Sequence, residues 1–342
     1  MADNRGRRQG RPGRRRRISG MAEKTMNGPV SANGLKSGGN LERVLAAGGF
    51  AVTCETSPTA TTDLAPLLER VAPLKGVADA VNVTDGATAK AHVSSLVLAG
   101  AMMRQGIQPV LQFTVRDRNL IALQGDILGA GALGIPNILC LTGDDPKKGE
   151  EPDASPVFDL DSAGLMRLAR RMRDDGLLNA GREIKGPPKL FIGCADAPMA
   201  PKPDWEPKSL RAKIDAGADF AQTQYCFDLE TAKIYFTRLA DFGITEKLAF
   251  LVGIGPLASL RQAKWMDENL FGVSIPDAIL KRLEGADDER AEGKKICAEL
   301  IQQLREVPGV RGVHLMAPRQ ESAMAEVIER SGVLEDRPAL AG

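Results

Sequence analysis

The chain has 342 residues, of which 43% are hydrophobic and 4% aromatic. This size fits one large α/β barrel or two smaller domains, and the composition excludes a chain too polar to bury a core. The net charge is +1, but eight arginines in residues 1–20 against Asp3 give this segment a charge of +7. Subtracting it leaves −6 for residues 21–342, which argues against nucleic acid binding by the folded part.

Residues 1–40 are rich in Gly, Arg, Ser and Asn, and we predict that they form a disordered basic leader. An RNA-binding or targeting arm is the alternative interpretation of its arginines. The leader lacks the apolar stretch of a secretory signal, and no run approaches the ~18 apolar residues of a membrane helix. No long linker interrupts residues 41–342, so we predict one domain there and no membrane partner.

The chain has five cysteines and two histidines, which limit the chemistry available to it. The cysteines have no CxxC spacing and are odd in number: Cys54, Cys140, Cys194, Cys226 and Cys297. This pattern favours reduced, mostly buried thiols in a cytoplasmic protein. With only His92 and His314 available, we expect no zinc site built on histidine, and we assign no metal ligands.

Eight short apolar runs alternate with helical stretches along the chain. The predicted strands are 49–55, 78–84, 108–114, 136–142, 188–195, 219–225, 248–254 and 311–316. Three of the helical stretches have apolar residues at i, i+3, i+4 and i+7, within 165–172, 232–239 and 297–304. The segment of about 270–308 adds an extra helix before the last strand. This alternation predicts a (β/α)8 TIM barrel, whose helices pack on a parallel sheet.

Polar residues collect where the apolar runs end. They are Glu55, Thr84-Asp85-Gly86, Gln112-Phe113-Thr114, Thr142-Gly143-Asp144 and Gln224. In a (β/α)8 barrel these positions converge on the C-terminal face, where such enzymes place their chemistry. We therefore expect Glu55, Asp144 and Gln224 to share one pocket. The long charged loop 143–159 lies on the same face and is typical of a functional loop.

The stretch Gly129-Ala-Gly131-Ala-Leu-Gly134 satisfies the GxGxxG fingerprint of dinucleotide-binding folds. That motif must follow a strand and open a helix, so that the helix N-terminus meets the pyrophosphate. Here it closes the predicted helix of about 118–133 and precedes a strand. We interpret these glycines as helix termination and close packing, and not as a Rossmann site.

Each candidate residue has a plain structural alternative. Glu55 is either a solvated strand end or the general acid of a pocket. Asp144 is either part of a simple Asp-Pro turn or a fixed negative charge beside a bound cofactor. Gln222 and Gln224 point to one side of their strand, where they form either an amide network or hydrogen bonds to a planar heterocycle. Lys213 either meets a phosphate or carboxylate group or is a solvated helix lysine.

Taken together, these motifs resemble the methylenetetrahydrofolate reductase family, flavin-containing (β/α)8 enzymes of one-carbon metabolism. The resemblance runs from about residue 48 to 335. It is carried by Glu55 with Ser57-Pro58, by 83–87 (VTDGA), by 116–119 (RDRN) leading to 141–146 (LTGDDP), by Asp215-Ala-Gly217-Ala-Asp219 with 223–228 (TQYCFD), and by Gly312-Val313-His314.

The resemblance implies that hydride passes from NAD(P)H to FAD and then to the methylene carbon of 5,10-methylenetetrahydrofolate, giving 5-methyltetrahydrofolate. By position, Glu55 would protonate the folate, Asp144 would lie near the flavin and the pterin, and Gln224 would bind the pterin. The implied flavin contacts are Thr84, Gln112, Thr142, Gly143, Cys194, Glu206 and Lys213.

Several positions depart from the family pattern. Gln112 stands in place of a histidine, Thr142 in place of an arginine and Cys194 in place of a tyrosine, and the aromatic that stacks on nicotinamide is replaced near Trp265-Met266. The tightness of flavin binding, the NADH or NADPH preference, the direction of reaction and the presence of a homo-oligomer therefore stay open. A pterin-binding methyltransferase barrel that passes a methyl group to a corrinoid is the alternative function, and a non-catalytic folate-binding subunit is a third interpretation.

Overall fold

The computed structural model describes residues 34–335, and eight parallel strands form a closed barrel in it. The strands are β1 (Ala51–Thr56), β2 (Ala80–Val83), β3 (Pro109–Thr114), β4 (Asn137–Leu141), β5 (Phe191–Asp196), β6 (Phe220–Tyr225), β7 (Ala249–Ile254) and β8 (Val310–Leu315). Each strand pairs with the next along the chain, and β8 closes the barrel on β1. The predicted (β/α)8 barrel is confirmed.

One helix precedes the first strand, and the others follow the strands around the outside of the barrel. The helices are α1 (Asn40–Ala46), α2 (Ala65–Val71), α3 (Ser95–Arg104), α4 (Leu120–Ala132), α5 (Ser162–Arg170), α6 (Lys208–Ala216), α7 (Leu229–Asp241), α8 (Leu260–Asn269), α9 (Asp277–Glu284), α10 (Glu289–Arg305) and α11 (Glu321–Ser331). Three helices, α8 to α10, lie between β7 and β8, as the enlarged seventh unit predicted. Within residues 34–335, no helix is long and apolar enough to cross a membrane.

Side chains alternate between the two faces of each strand, because successive residues of a strand point to opposite sides of the sheet. Outward residues such as Val52, Val81 and Ile192 pack against the helices in one large apolar layer. The three predicted helical stripes belong to this buried core, and Tyr235 and Phe236 of α7 are typical members. Both faces of the sheet are therefore covered, which explains why the strands read as nearly continuous apolar runs.

The N-terminal end of the lumen is closed by apolar side chains. Ala51, Ala80, Val110, Leu139, Phe191, Phe220 and Leu251 form this floor. Helix α1 covers the floor from below with Leu41, Val44 and Leu45. The rings of Phe191 and Phe220 stack at 5.1 Å between centroids. Because the floor is filled, a ligand can enter the barrel only from the C-terminal face.

The described part of the predicted leader is held to α1. The backbone N–H groups of Lys36, Ser37 and Gly38 donate to the carboxylate of Glu42, at 2.6, 2.7 and 2.9 Å. Glu42 is buried, so these bonds satisfy a charge that is removed from water. Residues 1–33, which carry the arginine cluster, lie outside the described residues.

The GxGxxG stretch has the structural role predicted for it. Helix α4 ends at Ala132, and β4 begins five residues later at Asn137. A Cβ on Gly131 would lie 2.8 Å from the Cβ of Pro188, so glycine lets the helix pack closely there. The motif precedes a strand instead of following one, as the sequence predicted.

Candidate active site at the barrel mouth

A buried layer of polar side chains lies in the lumen above the apolar floor. Thr53, Asn82, Gln222 and His314 are each at most 3% exposed. Gln222 Nε2 donates to Asn82 Oδ1 at 2.9 Å, and Asn82 Nδ2 donates to Gln222 Oε1 at 2.6 Å. Gln222 Nε2 also lies 2.9 Å from Thr53 Oγ1. The structural amide network, one of the two interpretations of Gln222, is therefore what the structure contains.

His314 joins this layer to the mouth of the barrel. Its Nδ1 atom lies 3.0 Å from Thr53 Oγ1 and 3.3 Å from Gln222 Nε2. Its Nε2 atom lies 3.8 Å from Oε2 of Glu55, one layer nearer the C-terminal face. His314 is therefore a part of the site that the sequence interpretation did not assign.

Glu55 is the carboxylate at the top of this column. Its side chain is 21% exposed, and Gln112 Nε2 donates to its Oε2 at 3.0 Å. Within residues 34–335 no group donates a hydrogen bond to its Oε1. Burial raises the pKa of the nearby Tyr225 phenol, and the negative charge of Glu55 raises it further. Glu55 is thus held at one oxygen and free at the other, in a partly buried position open to the mouth.

The end of β2 contributes Thr84 and Asp85 to the same face. Thr84 is buried and lies two residues beyond Asn82, on the lumen side by strand alternation. Asp85 accepts hydrogen bonds from the backbone and hydroxyl of Thr114, both at 2.9 Å, and from Arg118 at 2.6 Å. Burial opposes its charge, but the bonds from Arg118 and Thr114 lower the pKa of Asp85 overall. Asp85 is therefore a structural anchor between β2 and β3.

The loop after β4 places Asp144 on the rim of the barrel. Asp144 is exposed, and the backbone N–H of Thr88 donates to its Oδ2 at 2.7 Å. Gly143 has φ of +94°, and a Cβ there would lie 3.0 Å from the Cβ of Arg116. Glycine therefore lets the chain turn tightly over Arg116, which donates to the carbonyl of Asp144 at 3.1 Å. Thr142 is exposed at the end of the strand.

Gln224 ends the lumen face of β6. Its Oε1 accepts a hydrogen bond from the N–H of Tyr225 at 2.9 Å. Its side-chain N–H groups have no partner within residues 34–335, and the residue is half-buried. Glu55, Asp144 and Gln224 all lie at the C-terminal face, but their side chains make no hydrogen bonds to one another among the described residues. Each keeps hydrogen-bonding capacity for a ligand.

A cavity of about 830 Å³ opens beside the end of β5. Glu206 and Lys213, both predicted as site residues, line it together with Trp205, Asp196 and Tyr235. Lys213 Nζ donates to the carbonyl of Ala195 at 2.6 Å, and the Tyr235 hydroxyl donates to Asp196 at 2.8 Å. Burial raises the pKa of Asp196, although Tyr235 and Lys213 favour its charged form.

The structure does not bring Cys194 to this cavity. Cys194 is fully buried on the outward face of β5, where it packs in the layer between sheet and helices. Desolvation raises the pKa of its thiol to about 12. The inward residues of β5 are Phe191, Gly193 and Ala195, so strand alternation alone separates Cys194 from the lumen.

Sequence reasoning missed His314 and Asp196 as site residues. Asp196 directly follows an apolar run, which is the signal that selected Glu55, but we ended the predicted strand at 195. His314 lies two residues after Gly312 in β8, so both are on the same face of the strand, which is the lumen face. Both signals were present in the sequence.

The fold and the site define a (β/α)8 protein with acidic and amide side chains at its C-terminal face. Residues 40–332 match the model of the methylenetetrahydrofolate reductase family, and the chain belongs to this family.

Individual relatives are distant. A probable methylenetetrahydrofolate reductase (NADPH) of Caenorhabditis elegans is 28% identical over 71% of the chain, but the match covers only 35% of that protein. The chain thus spans about a third of the length of this relative. The 5,10-methylenetetrahydrofolate reductase of Salmonella typhimurium is 24% identical over 76% of the chain and 81% of its own length.

Among solved structures, an uncharacterized protein from Clostridium thermocellum that binds two copies of 5-methyl-5,6,7,8-tetrahydrofolic acid shares the fold. Its TM-score is 0.54 and its identity 14%, with 86% of this chain and 98% of that chain covered.

Proposed function

We propose that this chain interconverts 5,10-methylenetetrahydrofolate and 5-methyltetrahydrofolate by hydride transfer. Membership of the methylenetetrahydrofolate reductase family supports this reaction. The observation that carries the proposal is the position of Glu55, a partly buried carboxylate with one free oxygen at the open end of a sealed lumen. The reaction needs one acid, and it needs neither a metal nor a nucleophilic side chain.

Glu55 is the proton donor in this proposal. Protonation of a ring nitrogen of the folate opens its five-membered ring to an iminium ion, whose carbon then accepts hydride. Gln112 holds Oε2 of Glu55, which leaves Oε1 to carry the proton. The apolar floor and the buried polar layer below exclude bulk water from that side of the carboxyl group, which favours directed proton transfer.

Gln224 and Asp144 are the proposed pterin ligands. The free amide N–H groups of Gln224 suit a ring nitrogen or the carbonyl oxygen of a pterin. Asp144 has one oxygen occupied by Thr88, and its other oxygen accepts no hydrogen bond within residues 34–335. That second oxygen suits the amino group of a pterin. The two residues approach the mouth from β6 and β4, on opposite sides of Glu55 in strand order.

We infer that FAD, with NAD(P)H as its reductant or oxidant, is the electron carrier. The cavity at the end of β5 fits such a group, because its volume lies within the roughly 300–1,000 Å³ of cofactor pockets. Lys202, Lys208 and Lys213 line it and suit a diphosphate, while Trp205 offers an apolar wall. Thr84, Gln112, Thr142, Gly143 and Glu206 are the further proposed contacts. When bound, the flavin supplies the hydride.

The five cysteines of the chain are free and buried, which supports a reducing compartment, and we propose that the protein acts in the cytoplasm. Because this chain spans only about a third of the length of one relative, we propose the reaction for this chain alone.

The test is the formation of 5-methyltetrahydrofolate from 5,10-methylenetetrahydrofolate and NADH or NADPH by purified protein. A yellow preparation whose flavin absorbance bleaches with reduced nicotinamide or with 5-methyltetrahydrofolate would support the proposal. A colourless preparation that transfers a methyl group from 5-methyltetrahydrofolate to a corrinoid would instead establish the methyltransferase function. Folate binding without either reaction would indicate a non-catalytic folate-binding protein.

A further inference from the structure

The proton position on His314 follows from its buried partners. Gln222 Nε2 is a donor only, and one of its two N–H groups is used by Asn82. The other goes to Thr53 Oγ1 at 2.9 Å or to His314 Nδ1 at 3.3 Å. If it goes to Thr53, the threonine hydroxyl proton donates to Nδ1 at 3.0 Å. With the Gln222 amide in this orientation, Nδ1 accepts in both cases, so the ring proton of neutral His314 is on Nε2.

The opposite tautomer is disfavoured by the same geometry. It would require Thr53 to accept from Nδ1 and to send its own proton to the carbonyl of Val313, at 3.5 Å. This contact is at the outer limit of a hydrogen bond. Beyond the reciprocal Asn82–Gln222 pair, the hydrogen bonds thus have one preferred direction, from Gln222 and Thr53 toward Nδ1 of His314.

The Nε2–H group of His314 faces Glu55. The distance from Nε2 to Oε2 is 3.8 Å, and Gln112 donates to the same oxygen from the other side at 3.0 Å. Among the described residues, the ionisable side chains at this place are His314, Glu55 and Tyr225, and the Tyr225 hydroxyl donates to the carbonyl of Met316 at 2.9 Å. Oε2 therefore accepts a hydrogen bond from Gln112, and His314 Nε2 lies near it at 3.8 Å, beyond hydrogen-bond distance.

We propose that His314 is a positioning residue for Glu55. The buried network holds it as the Nε2–H tautomer, with Nε2 3.8 Å from Oε2, while Gln112 holds Oε2 by a hydrogen bond, so that the free Oε1 faces the substrate. From 3.8 Å, the dipole of the same N–H favours the carboxylate that is left after Glu55 gives its proton to the folate. The inference rests on the proposed function, because it assigns His314 to the acid step of that reaction.

The chain supplies an internal reference for the tautomer, because His92 is its only other histidine. The Gly86 N–H donates to His92 Nε2 at 2.6 Å, and His92 Nδ1 lies 2.7 Å from the Val93 carbonyl. His92 is therefore held as the Nδ1–H tautomer. The two imidazoles should carry their protons on different nitrogens.

The first test is ¹⁵N NMR of the full chain labelled at histidine, with His314→Gln to assign the signals. We expect a neutral Nε2–H ring for His314 and a neutral Nδ1–H ring for His92. An Nδ1–H or doubly protonated His314 would overturn the inference. This measurement needs no turnover, so its outcome is independent of the proposed reaction.

The second test compares His314→Leu with His314→Gln, whose amide keeps an N–H near the position of Nε2. We expect His314→Leu to lower kcat for the folate reaction about tenfold with KM within about twofold, and His314→Gln to recover most of it. Equal losses in both variants, accompanied by the same loss of NAD(P)H oxidation with menadione, would mean a merely structural role and would overturn the inference. Absence of folate turnover in the unmodified protein would instead refute the proposed function, and with it the role of His314 in that reaction.

Discussion

Gln222 of β6 and Asn82 of β2 exchange two hydrogen bonds across the lumen of the barrel, at 2.6 and 2.9 Å. The two strands lie on opposite sides of the closed sheet, so this amide pair ties the barrel together through its centre. Both residues are buried, and each satisfies polar groups of the other that water cannot reach. Gln222 of the pair also contacts Thr53 and His314 in the same layer, and Glu55 lies one layer above them.

The amide pair makes a specific prediction about stability. Asn82→Leu leaves amide groups of Gln222 buried without their partner, so we expect a loss of about 2 kcal/mol in the free energy of unfolding. Gln222→Met should cost a similar amount. The double variant removes both amides and should cost less than the sum of the single changes. Chemical denaturation of the four proteins measures this coupling, and strictly additive losses would contradict the reciprocal pair.

Asp85 should make stability depend on acidity. Because its pKa is lowered in the folded state, its stabilising contribution is complete above its ordinary value of 3.8 and is lost as the pH falls through the lower folded value. Asp85→Asn should cost about 2 kcal/mol at pH 6, and the gap to the unmodified protein should narrow toward pH 3.

Urea unfolding at several pH values measures this gap. Asp126→Asn is a matched control, since Asp126 is a more exposed partner of the same Arg118 and should cost less. A gap for Asp85→Asn that stays constant from pH 6 to pH 3 would argue against the assigned ion pair.

Lys213 and Cys194 are both flavin contacts by family resemblance, but only Lys213 lines the cavity beside β5, so their substitution should affect FAD binding differently. Lys213→Met removes a cation from the cavity wall, so we expect FAD affinity to fall about tenfold, the value of one charge-assisted contact. Cys194→Ala changes a side chain in the outer core, so we expect unchanged FAD affinity. Fluorescence titration of the flavin-free protein checks both. Weaker FAD binding by Cys194→Ala, with unchanged FAD binding by Lys213→Met, would contradict the placement of Cys194 outside the cofactor cavity and of Lys213 in its wall.

The fold was predictable because its signals are local and repeated. Each of the eight apolar runs overlaps its strand, and the run predicted at 49–55 became β1 at Ala51–Thr56. The stripe containing Leu165 and Leu168 faces the barrel, as helical spacing requires. The glycines around Gly131 match the GxGxxG motif, but their position before a strand indicated that they serve helix packing.

The site residues at strand ends were predictable, but the residues that contact them were less so. Glu55 and Gln224 were found because a polar group after an apolar run is conspicuous. The contact from Gln112 to Glu55 joins β3 to β1, and the contact from His314 joins β8 to β1. Such contacts depend on the register between neighbouring strands of the barrel, which the sequence of one strand does not encode. Cys194 was assigned by family position, and strand parity would have placed it outside.

Glu55 is the proposed acid of the folate reaction, and the Glu55→Gln variant separates this role from the rest of the chemistry. The variant keeps the shape of the side chain but has no acidic proton, and Glu69→Gln on the exposed face of α2 is the matched control. We expect Glu55→Gln to lower the rate of 5-methyltetrahydrofolate formation at least about a hundredfold while NAD(P)H oxidation with menadione continues at its normal rate. Equal loss of both activities, or folate turnover as fast as that of Glu69→Gln, would show that Glu55 is not the acid.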